Sequence, residues 1–88
     1  MTVDINDIRI KVFARQQMGI AEDKEFINWA VQELLHGNET NSIKILAGLD
    51  NPINPFQIKE YINKSKKELK IEFDENNIID QYAVILAK

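Results

Sequence analysis

Two asparagine–proline pairs, Asn51-Pro52 and Asn54-Pro55, hold both prolines of the chain and stand almost back to back. Proline donates no backbone hydrogen bond, and it pushes the residue before it out of the α region. A helix arriving from the N-terminal side must therefore end before Asn51. The next one starts at Asn54, a good N-cap, with Pro55 as its first residue and Gln57 completing an asparagine version of the capping box. Gly37 supplies an earlier stop, directly after His36. The stretch from Phe26 to Phe56 thus reads as helix, glycine stop, short helix, double turn and new helix.

Periodicity fills in the rest. Asp4 or Thr2 can cap a first helix that ends near Gly19. Ile8, Ile10 and Val12 alternate with Arg9 and Lys11, which is also a strand pattern, so residues 3–18 admit either reading. Helix is the expectation, because no second strand is available to pair with this one. From Glu22 to His36, acids crowd the first turn, where the helix dipole favours them. Phe26, Ile27, Ala30, Val31, Leu34 and Leu35 form one apolar arc there, with Trp29 outside it among Glu25, Gln32, Glu33 and His36.

Thr40 or Ser42 starts a short helix to about Leu49, apolar nearly all round and so expected at the centre of the core. The helix from Asn54 to about Leu69 turns Ile58, Tyr61, Ile62, Ser65 and Leu69 inward, with Phe56 packing back on the turn. Asp74 is placed to cap a last helix from about Glu75. Ile78, Ile79, Tyr82, Ala83, Ile85 and Leu86 lie on one side of that helix. The fold class predicted is all-α: four or five short helices in an irregular bundle or HEAT-like helical hairpins, in a single domain over 1–88.

Composition narrows the function classes. At 44% hydrophobic and 28% charged, the chain is too apolar to be disordered. With no cysteine it has neither disulfides nor a thiolate metal site. The apolar runs are far too short for a membrane span, and the start MTVDINDIR lacks a basic region plus apolar core, so a cytoplasmic protein without a signal peptide is expected. The net charge of −3, with both signs interleaved, counts against nucleic acid as the main partner.

Candidate chemistry is sparse. Glu33 and His36 stand at i, i+3, as in half of a carboxylate di-iron site, but that site needs a second such pair and the chain has one His. A nucleophilic arrangement would have to join Ser42 or Ser65 to His36, whereas Ser42 reads as a cap and Ser65 as a small packed residue. No glycine-rich phosphate loop occurs. No catalytic residue, metal ligand or cofactor is assigned, and the chain reads as a non-enzyme, although carboxylates gathered in space are invisible to sequence. Lys59, Lys66, Lys67 and Lys70 make the one basic patch, a weak candidate for phosphate backbones that Glu60 and Glu68 interrupt. Trp29, flanked by Glu33 and His36, is the candidate partner-binding residue: tryptophan is enriched at binding hot spots, and an isolated exposed one calls for a cover. Either another part of the chain supplies that cover, or a protein partner or a second copy does.

Trp29-Ala30, Gly37, Ile45-Leu46-Ala47-Gly48-Leu49, Pro52 and Asn54-Pro55-Phe56 together resemble the pattern of a group of small bacterial helical proteins. The likeness covers roughly Phe26 to Leu69. Proteins of this kind occur around bacterial toxin-immunity genes, so the resemblance implies a protein-binding role in immunity or regulation. Its motifs are structural and carry no catalytic residue. In that pattern further helical sequence can follow the AVILAK run, so a helical array continuing past Lys88 is a second expectation.

Overall fold

The computed structural model describes residues 4–49, 54–73 and 77–87. It is all-α, with helices α1 (Ile5–Gln17), α2 (Asp23–Leu35), α3 (Asn41–Ala47), α4 (Pro55–Glu68) and α5 (Ile78–Leu86), and no strand among the described residues. The ambiguous N-terminal segment is a helix. The Asn51-Pro52 turn, the capping role expected of Asp74, and Lys88 lie outside the described residues.

The chain divides into two compact units, one formed by residues 22–72 and the other by the segments 1–21 and 73–88. In the second, α1 packs against α5. Asp4 caps α1 by accepting from the Asn6 amide at 2.9 Å. Ile10, Val12, Phe13 and Ala14 are buried on α1, and Ile78 and Tyr82 on α5. The Phe13 and Phe73 rings meet at 5.8 Å, tilted by 40°.

In the larger unit α3 packs against both α2 and α4, so the short helix is central, as its composition foretold. Ile43 and Leu46 are fully buried, while Ile45 turns to solvent. Thr40 caps α3 through its Oγ1, which accepts from the Ile43 amide at 3.2 Å. Glu68, from the end of α4, adds a second cap: its carboxylate accepts from the Ser42 amide at 3.2 Å and from the Ser42 hydroxyl. These bonds tie the start of α3 to the end of α4. The Ser42 hydroxyl is the main reason that the Glu68 carboxyl is held below its ordinary value; partial desolvation opposes it, and Thr40 and the Ser42 amide add to it. A lowered carboxyl pKa stabilises the fold above the ordinary Glu range, and that stabilisation is lost as pH falls through the lowered value. In urea unfolding followed across acid pH, Glu68→Gln should therefore be less stable than the parent near neutrality and lose that deficit on acidification.

Asn54 caps α4 by accepting from the Phe56 amide at 2.9 Å, one residue earlier than a capping box with Gln57 would place the bond. Ile58, Ile62 and Ser65 are buried as expected, but Phe56 is 85% exposed and does not fold back on the turn.

Three helices end in the same hydrogen-bonded cap. Ile20 donates to the Arg15 carbonyl at 3.0 Å, Asn38 to Glu33 at 2.9 Å and Ile71 to Lys66 at 2.9 Å. Each comes with the shorter bond of a Schellman motif, and each needs a left-handed residue just before the donor. Gly19 (φ 75°) and Gly37 (φ 85°) fill that position after α1 and α2, but Lys70 (φ 55°) fills it after α4. A left-handed non-glycine residue costs about 1–2 kcal/mol, whereas glycine costs about 0.4–1 kcal/mol more entropy on folding. Lys70→Gly should thus stabilise the chain by about 0.5–1 kcal/mol, read as a raised urea midpoint.

Candidate functional site

The expected partner-binding trio does not form one surface. Trp29 is 1% exposed and Glu33 fully buried, which corrects the reading that places both on a solvent-facing side of α2. His36 alone is exposed, with its Nδ1 2.8 Å from the Gln32 carbonyl of the same helix. The reason lies in how the polar atoms are satisfied. The indole Nε1–H donates to Glu33 Oε2 at 2.8 Å, one helical turn on. The Asn38 side-chain amide donates to Glu33 Oε1 at 2.8 Å, while its backbone amide caps the Glu33 carbonyl. A carboxylate that receives a donor at each oxygen can stay inside. α2 therefore buries Phe26, Trp29, Ala30 and Glu33, spaced i, i+3, i+4 and i+7, and turns Val31 and Leu35 outward. Only Phe26 and Ala30 belong to both the expected apolar arc and the observed face.

The serine–histidine arrangement is not assembled. The Ser42 hydroxyl is committed to Glu68, and Ser65 lies fully buried in the contact face of α4, its hydroxyl bonded to no described group. Among the described residues no cluster of three or more His, Asp or Glu side chains could hold a metal ion.

The basic patch gains a shape that sequence could not give it. Lys66, Lys67 and Lys70 line an open cavity of about 620 Å³ together with Asn63, Ile71 and Glu72. Lys59 is exposed on the same helix but does not line the cavity. The cap at Lys70 makes the concavity: it reverses the chain so that Ile71 and Glu72 return beside the last turn of α4. Glu60 takes Lys64 at 3.0 Å, the i, i+4 pair expected from spacing.

A second open feature escaped the periodicity argument. On α5, Ile79, Val84 and Leu86 are exposed, the last two by 62% and 64%, although Ile79 and Leu86 were expected to face inward. Ile79, Ala83 and Leu86 share one stripe at i, i+4, i+7, and Asp80 is the single charge between Ile78 and Leu86. The available signal was that this helix is apolar on more than one side, but a period does not say which side is covered.

No protein-family model, no characterised protein and no solved structure matches the chain, so no relative supplies a role for these residues. Among the described residues no helix is long and apolar enough to cross a membrane.

Proposed function

We propose that this chain is a non-catalytic protein-binding domain whose contact surface is the open apolar side of α5. The observation that carries the reading is the exposure of Ile79, Ala83 and Leu86 along one side of a nine-residue helix with one charge. Scattered exposed apolar residues are ordinary on a monomer; a helix side holding several of them and almost no charge is what interface cores are made of. Trp29 drops out of the surface in favour of these three. A bacterial cytoplasmic setting, with an immunity or regulatory role as one form of such binding, accords with the resemblance of the central stretch.

The test is a pair of lysine substitutions, Ala83→Lys and Leu86→Lys, made together. Both positions face solvent, so the stability of the variant should stay within about 0.5 kcal/mol of the parent for each change. Capture of a defined partner, or concentration-dependent self-association measured by light scattering, should fall at least tenfold. A variant that unfolds more easily would mean that α5 is packed there after all. A variant that binds as the parent does would remove α5 as the contact surface.

A further inference from the structure

Asn63, Lys66, Lys67 and Lys70 follow one another at i, i+3, i+4 and i+7, so one face of α4 and its cap delivers all four to the cavity that Ile71 and Glu72 border. The geometry points to this cavity as a binding site for a small phosphorylated molecule, held by the ammonium groups of Lys66, Lys67 and Lys70.

The chain as a whole carries −3, yet the cavity gathers three lysines against the single carboxylate of Glu72. The end of α4 adds roughly half a negative charge of its own, which attracts lysines and opposes an anion. Glu72 and the helix end together still fall short of cancelling Lys67 and Lys70 alone. Lys64 shows what a neutralised lysine looks like on this helix, held by Glu60 at 3.0 Å. Neither Lys67 nor Lys70 is engaged in an ion pair among the described residues.

The backbone gives an independent argument. Caps of the same build use Gly19 after α1 and Gly37 after α2. Only the cap that borders the cavity holds a lysine in the left-handed conformation, at φ 55°. Strain retained at a cleft, where an unstrained residue would serve the fold better, is the mark of a functional position. Here the strained residue places its charge at the site.

Size and donor type set the ligand class. A cavity of about 620 Å³ has the scale of a small-molecule site. All of its cations are lysines. A lysine ammonium is a compact charge with three rotatable donors, and several of them together hold the spread charge of a phosphate as point charges. Asn63 and Ile71 leave a neutral polar group and an apolar one for the rest of the ligand.

The experiment is an amide chemical-shift titration of the full chain with inorganic pyrophosphate, with sodium chloride at equal ionic strength as control. Saturable shifts centred on residues 63–72 are expected. Lys67→Gln and Lys70→Gly should each weaken binding about two- to fivefold. Lys70→Gly is the sharper variant, because it removes the cation while easing the cap, and its thermal unfolding will show that the fold is intact. Absence of saturable shifts, equal shifts in chloride, or unchanged affinity in both variants would overturn the site. A short single-stranded oligonucleotide forms the third arm. Competition with pyrophosphate at residues 63–72 supports the site; oligonucleotide binding that spreads to Lys59 and is not displaced by pyrophosphate would replace it with an extended nucleic-acid face.

Discussion

Trp29→Ala is expected to cost about 3–5 kcal/mol of folding stability. The side chain is 1% exposed and is the largest of the fully buried ones, so its removal leaves a cavity bordering a charged group. It also strips the indole donor from Glu33 Oε2. A domain of this size has a total stability of about 5–15 kcal/mol, so the variant loses a large share of it. Trp29→Phe keeps the experiment decisive: it preserves most of the apolar area while removing the N–H together with the smaller ring of the indole, for an expected loss of about 1–3 kcal/mol. Urea unfolding followed by circular dichroism reads both. A loss below about 1 kcal/mol for the alanine variant would place Trp29 outside the core.

Glu33→Ala is the second large effect, expected at about 2–4 kcal/mol. It leaves the Trp29 indole and the Asn38 amide facing a space without their acceptor. Removing a buried charge returns part of that cost, because the carboxylate no longer has to be desolvated. Glu33→Gln is the more telling variant. A carboxylate presents an acceptor to each of the two donors, whereas a carboxamide has one oxygen and one NH2. Its NH2 must therefore face either the indole N–H or the Asn38 amide, donor against donor. A loss of about 1–2 kcal/mol follows, in spite of near-identical shape. Combined with Trp29→Phe the losses should fail to add, since both act on one hydrogen-bonded group. Parent-like stability of Glu33→Gln would mean that the network is not closed as described.

Most stops and starts of the helices were legible because each rests on a local chemical cause; the start of α5 was not, since it lies at Ile78 rather than about Glu75, behind an Asn77 that makes no side-chain cap. Asp4, Thr40 and Asn54 cap as their side chains predict, and Gly19 and Gly37 take the left-handed positions that suit them. The rotation of α2 was not legible. Periodicity sorts residues by type and assigns a glutamate to water, but Glu33 is drawn inside by donors one helical turn before it and five residues after it. With Glu33 satisfied there, the helix buries Trp29 on the face that looked polar and leaves Val31 and Leu35 outside. The lysine stripe was legible as a spacing. Its cavity was not, because the concavity depends on a lysine in a conformation that sequence rules reserve for glycine. On α5 the apolar excess was visible, and its exposure follows only from which side meets α1.

Trp29 is the chain's one tryptophan, so intrinsic fluorescence reports on its burial alone. The native protein should emit at clearly shorter wavelength than the urea-unfolded chain and should resist quenching by acrylamide. Emission at the unfolded wavelength, with quenching as efficient as in urea, would contradict the burial of Trp29 and with it the hydrogen-bonded lock on Glu33.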